Sequence, residues 1–263
     1  MGLQLRGRTA FISGSTHGIG FAVASTLAAE GARVIVSGRR PDAVDAAVAE
    51  LQRCHPHSAH SGIAADFADA DSVADLIAGL DDVDILVNNV GRFDLSEFGS
   101  VTDDDWAGYL ELNLMSGVRM SRHALPHMLD RGWGRIVFIA SESGVNVPAD
   151  MIPYGVTKAA MIALGNGLAK LTRGTAVTVN TVLGGPTYSD GVAMTVESIA
   201  ARQSAPVEAV KAAIIAENRT TLLERFIDPG EIASLVAYLS SPRASATNGA
   251  AVRADGGVLT GIL

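Results

Sequence analysis

The chain has one cysteine, Cys54, in 263 residues, and fewer Lys and Arg (20) than Asp and Glu (28). A lone cysteine cannot pair within the chain, which excludes a disulfide framework and suits a reducing compartment. The net charge of −8 argues against a surface that neutralises phosphate backbones, so no nucleic-acid partner is expected. No apolar run reaches the roughly 18 residues that cross a bilayer, so no membrane partner is expected either. The start of the chain lacks a signal-peptide core, and Arg6 stands where a myristoylation site wants Ser or Thr. A soluble, cytoplasmic protein is the expectation. No metal is expected: Cys54, His55, His57 and His60 lie close together, but their spacing fits no standard zinc pattern.

What the chain does have is apolar content, 48% of its residues, enough to offset the entropy of ordering a continuous core. Short β-branched runs at 9–13, 33–37, 61–65, 84–88, 135–139, 176–182 and 250–254 alternate with Ala-rich helical stretches. Most of the runs are continuously apolar, as strands buried on both faces are. The pattern predicts one α/β domain: a doubly wound, Rossmann-like, seven-stranded parallel sheet with helices on both faces. Thr102 and Asp105 are spaced as a capping box at the start of a long helix. The strand-free segment of about 186–225 is expected to form a helical lid over the C-terminal edge of the sheet, where open α/β folds bind ligands.

Between the first run and the first helix stands Gly14-Ser15-Thr16-His17-Gly18-Ile19-Gly20. Glycines there let the backbone turn tightly and approach a pyrophosphate at the helix N-terminus. Nucleotide choice is read at the end of the second strand, where Arg39 and Arg40 follow Gly38 and no carboxylate is present to repel a phosphate. Arg39 offers a charge-assisted fork and His17 a further donor, so NADP(H) is the expected cofactor and NAD(H) the alternative.

Tyr154 and Lys158 stand at i and i+4, hence on one helix face, and Pro153 places them in the first turns of that helix. Acid–base work near neutral pH calls for a phenol roughly 2–3 pKa units below its ordinary value of about 10. A desolvated ammonium one turn away and the helix terminus are the expected sources of that shift. Ser141 ends the fifth strand and can donate to a carbonyl oxygen as charge develops on it. Asn88 and Asn89 end the fourth. Asn113 is a polar residue in an apolar helix, either ordering a water beside Lys158 or satisfied as a structural amide.

Together these motifs resemble the short-chain dehydrogenase/reductase family, nearest to members of the 3-oxoacyl-acyl-carrier-protein reductase type. The resemblance implies a tetrad: Tyr154 exchanging the proton, Ser141 polarising the substrate oxygen, Lys158 binding the nicotinamide ribose and lowering the Tyr154 pKa, and Asn113 holding a water. It also implies cofactor contacts along the glycine loop (Gly14, Ser15, Thr16, His17, Gly18, Ile19, Gly20) and at Arg39 and Arg40. Further contacts follow at Asp66, Phe67, Asn89, Gly91 and Thr187, besides Tyr154 and Lys158 themselves. A homotetramer is implied as well, with Gly165 and Gly167 allowing close packing of helices. Gly184 replaces the usual proline of a Pro-Gly turn.

The expected activity is hydride transfer between NADP(H) and a carbonyl or secondary alcohol, most simply as a ketone or 3-oxoacyl reductase. An NAD-dependent alcohol dehydrogenase and a non-catalytic nucleotide sensor with this fold are the alternatives. The substrate pocket is expected to be mostly apolar, walled by Phe93, Leu95, residues 142–152 and the lid residues Tyr188, Val192, Met194 and Ile199. Glu142 and Asp190 are its candidate polar contacts.

Overall fold

A computed structural model describes residues 2–218 and 220–262. The apolar runs form β1 (Thr9–Ile12), β2 (Arg33–Gly38), β3 (Ser61–Ala64), β4 (Ile85–Asn88), β5 (Trp133–Ser141), β6 (Ala176–Gly184) and β7 (Ala251–Ala254). They make one parallel sheet in the order β3-β2-β1-β4-β5-β6-β7. The strand order reverses between β1 and β4, so a crevice opens there at the C-terminal ends. β5 and β6 run longer than the apolar pattern alone indicates, through Ser141 and Gly184, because they pair with each other residue for residue.

Two apolar layers sandwich the sheet. On one face α1 (Gly18–Ala29), α2 (Pro41–Cys54) and α9 (Pro229–Leu239) bury Val23, Leu27, Leu51, Ile232 and Val236. On the other, α3 (Ala70–Ala78), α5 (Ser116–Arg131) and α6 (Ile152–Leu171) bury Val73, Leu76, Met120, Met128 and Met161.

The expected long helix begins with the capping box: Thr102 accepts from the Asp105 N–H, and Asp105 reaches back to Thr102. It is not continuous, however. α4 (Asp103–Leu110) passes into α5 through a π-helical turn at Glu111–Met115, which carries Asn113.

The lid is two helices, α7 (Asp190–Gln203) and α8 (Val207–Glu217), joined by Val196, Ala200 and Val210. It is tied to the sheet edge by the Thr187–Ile227 bridge and by the Leu222 N–H on the Gly256 carbonyl, 2.8 Å. Gly165 is required within the chain: a Cβ there would stand 2.6 Å from Thr181 Oγ1 of β6. Gly167 faces open space.

Candidate active site

Ser141, at the C-terminal end of β5, and Tyr154, in the first turn of α6, are brought together by the short connection between the two elements. The Ser141 hydroxyl near the phenol lowers the Tyr154 pKa, and the edge of the Phe93 ring meets the Tyr154 ring with centroids 5.9 Å apart. Lys158 follows one turn later, almost fully buried, and donates to the Ile139 carbonyl at 2.8 Å. Its Nζ lies 5.5 Å from the centre of the Tyr154 ring. Asn113 is buried opposite them. Its amide donates to the Arg92 carbonyl and to Thr157 Oγ1, both at 3.0 Å, and its oxygen accepts from the Arg92 N–H at 2.8 Å. Thr157 in turn donates to the Tyr154 carbonyl, 2.7 Å. Asn113 thus pins the π-helical turn to the start of α6.

The expected acidic phenol is not what the geometry produces. Burial is the largest influence on Tyr154 and pushes its pKa up to about 12; Ser141 lowers it and the nearby Glu142 charge raises it. Burial also pulls Lys158 down to about 8. The ammonium turns towards a backbone carbonyl, so the i,i+4 spacing does not by itself put it on the phenol oxygen.

Across the crevice the glycine loop is held from below. Gly14 has φ of +61°, and a Cβ on Gly20 would stand 2.2 Å from the Gly14 carbonyl. Asn89 donates to the Ser13 and Gly14 carbonyls at 3.1 and 2.9 Å, and its N–H binds Ser13 Oγ at 3.0 Å. Ser15 is fully buried, donating to the Ile12 carbonyl and accepting from the Ser37 N–H, so its hydroxyl holds the loop rather than facing outward. Thr16 packs over β2, where a Cβ on Gly38 would come within 2.7 Å of its Cγ2. His17 is exposed, and Ile19 leans on the core below.

Arg39 is exposed and has no ion pair among the described residues, whereas Arg40 is engaged by Asp42. Asp66 is exposed and accepts from the Ala68 N–H, 3.0 Å. The Phe67 ring is buried in the core with Phe11 and Leu76, which leaves the expected cofactor contact there to its backbone. Gly91 lies directly above Lys158 and Asn113; a Cβ there would reach Lys158 Nζ at 3.2 Å. Thr187 is buried and donates to the Gly185 carbonyl, 2.9 Å.

Comparison with known proteins fits this arrangement. The short chain dehydrogenase family model matches residues 8–202. The chain belongs to the short-chain dehydrogenase family. The Bacillus subtilis oxidoreductase YvaG is 42% identical over the full length of both chains. Among solved structures, the L-sorbose reductase of Gluconobacter frateurii, complexed with NADPH and L-sorbose, superposes with a TM-score of 0.94 at 28% identity and full coverage of both chains. A 3-oxoacyl (acyl-carrier-protein) reductase of Agrobacterium tumefaciens with NADP bound has a TM-score of 0.87 at 31% identity, covering 97% of this chain and 95% of its own. This dehydrogenase is therefore an oxidoreductase of an NAD(P)-dependent class. Among its described residues no helix is long and apolar enough to cross a membrane.

The dehydrogenase has a cradle that fits a dinucleotide. Gly20 lets α1 pack directly against the Gly14 carbonyl of the loop, Gly91 lets the end of β4 approach Lys158 Nζ, and the N-terminus of α1 binds a carboxylate: the Gly18 N–H donates to Asp190 Oδ2 at 2.7 Å. Asp190, expected at the substrate pocket, instead caps the cofactor helix from the lid. Sequence reasoning missed Ser13 and Thr157 as organisers. The polar residue ending β1 and the threonine inside Tyr-x-x-Thr-Lys were the available signals.

The lid part of the apolar substrate wall is corrected. Val192 and Ile199 pack within the lid, Tyr188 stacks on Phe226, and Met194 is 66% exposed. The cavity of about 410 Å³ at Glu142 is lined within the expected 142–152 stretch by Glu142, Asn146, Pro148 and Asp150, and beyond it by Ile214, Glu217, Asn218, Thr220 and Val258, so its wall is more polar than expected.

Proposed function

We propose that the protein is an NADP(H)-dependent reductase of a small carbonyl compound. The observation that carries this reading is the grouping of the Ser141 hydroxyl, the Tyr154 phenol and the buried Lys158 ammonium at the sheet edge. They face a glycine cradle across the crevice. NADP(H) rather than NAD(H) is supported by Arg39 beyond β2, exposed and without an ion pair among the described residues, whose guanidinium can fork onto a 2′-phosphate. NADPH or NADP accompanies the solved relatives above.

When bound, the dinucleotide supplies the hydride that goes to the carbonyl carbon. Tyr154, protonated at neutral pH because burial holds its pKa near 12, donates its phenolic proton to the carbonyl oxygen. Ser141 turns its hydroxyl onto the same oxygen and stabilises charge growing there. Lys158, while charged, offsets the phenolate left behind. Asn113 and Thr157 fix the start of α6, and with it the phenol.

The test is NADPH oxidation by Tyr154→Phe with a ketone panel. Turnover is expected to fall by about 10²–10⁴-fold, while NADPH binding is retained. Full turnover in that variant overturns the reading.

A further inference from the structure

Glu142 sits where a substrate must arrive. Ser141 Oγ donates its only proton to Glu142 Oε2, and Ser143 Oγ donates to Glu142 Oε1 at 3.3 Å. The Ser143 N–H already occupies the Ser141 oxygen at 3.1 Å. For Ser141 to polarise a carbonyl its proton must leave Glu142, and a part-buried carboxylate then loses a donor. A carboxylate stripped of a hydrogen bond in such a setting is costly, unless the incoming molecule replaces it. A hydroxyl beside the carbonyl has the reach and chemistry to do so.

Resting on the reductase reading, we propose that Glu142 is a specificity-determining residue. The substrate is a neutral ketone with a hydroxyl next to its carbonyl, which takes over the Ser141 hydrogen bond on Glu142. The cavity beyond agrees: Asn146, Asn218 and Thr220 both donate and accept, as further hydroxyls require, and the lining residues include no cation. Glu142, Asp150 and Glu217 oppose an anionic 3-oxo acid, whose carboxylate would meet charge of its own sign. An ammonium would satisfy the carboxylates but leave the amide donors idle.

The experiment compares kcat/KM for NADPH-dependent reduction of four matched ketones by the full chain: acetoin, butanone, acetoacetate and aminobutanone. Acetoin is expected to exceed the other three by about a hundredfold, in line with the cost of leaving a buried polar group without its hydrogen bond. Glu142→Gln is expected to lower the acetoin-to-butanone ratio at least tenfold, and Glu142→Asp to recover part of it. NADPH binding reports that each variant is folded. Butanone, acetoacetate or aminobutanone used as well as acetoin overturns the assignment and leaves the reductase reading standing. So does an unchanged ratio in folded Glu142→Gln. Absence of NADPH-dependent turnover with all four overturns both.

Discussion

The two sides of the crevice are built from different materials. On the β1–β4 side the site is backbone: Gly14, Gly18 and Gly20 set its shape, and Asn89, Ser13 and Ser15 hold it from inside the fold. On the β5–β6 side it is side chain: Ser141, Glu142, Tyr154 and Lys158 form a polar group whose ionisation is shifted chiefly by desolvation. Backbone donors tolerate many dinucleotides but no bulk. Buried charges tolerate bulk changes poorly and set both specificity and protonation. A shared scaffold on the first side and a private chemistry on the second is the lesson of the contrast.

Lys158 gives the largest way to break it. Its pKa falls from the ordinary lysine value to about 8, so below pH 8 folding carries a buried charge. That penalty is full below pH 8, fades as pH rises towards the unfolded value near 10.4, and amounts to roughly 3 kcal/mol. Lys158→Met should therefore lower turnover by about 10²-fold or more while raising the denaturation midpoint at pH 7. A lower midpoint would show that the Ile139 hydrogen bond outweighs the buried charge. In the unaltered protein the rate of reduction should decline as pH rises through about 8, where the ammonium supporting the phenolate is lost.

Gly20 tests the backbone side. Gly20→Ala drives a methyl into the Gly14 carbonyl, and should cost about 1–3 kcal/mol of stability in a denaturant titration. NADPH affinity should fall with it. Wild-type affinity and stability together would mean the loop is not the tight cradle described.

Arg39→Ala should weaken NADPH by about tenfold or more and leave NADH nearly unchanged, measured by cofactor fluorescence. Equal losses for both would remove Arg39 from 2′-phosphate recognition. The smallest effect belongs to Asp190, whose carboxylate sits on the Gly18 N–H. Asp190→Asn should tighten cofactor binding by about threefold, because a competing anion at a helix N-terminus is worth about 0.3–1 kcal/mol. Weaker binding would instead make Asp190 part of the cofactor site.

Much of the fold was legible because parallel strands buried on both faces write themselves as short apolar runs. The Thr102–Asp105 capping box likewise lies within one turn of chain. The π-helical turn at Glu111–Met115 was not legible, since nothing in the Leu-Asn-Leu pattern separates it from ordinary helix. Nor was Arg135, 2% exposed in β5, whose guanidinium donates to the Gly134, Ala176 and Ser241 carbonyls and lies over Trp133. The residue types of the site could be read from their positions at strand ends. The direction of the Tyr154 shift could not, because burial rather than the neighbouring lysine dominates it.

By itself the amino-acid order determined the strand and helix alternation, the glycine cradle and which polar groups end each strand, because these depend on contacts a few residues apart. Tertiary structure decided that Phe67 is core, that Asp190 reaches the N-terminus of α1 172 residues away, and that Glu142 accepts the Ser141 hydrogen bond. Those outcomes depend on burial and on how distant segments meet, and electrostatic strength depends on both.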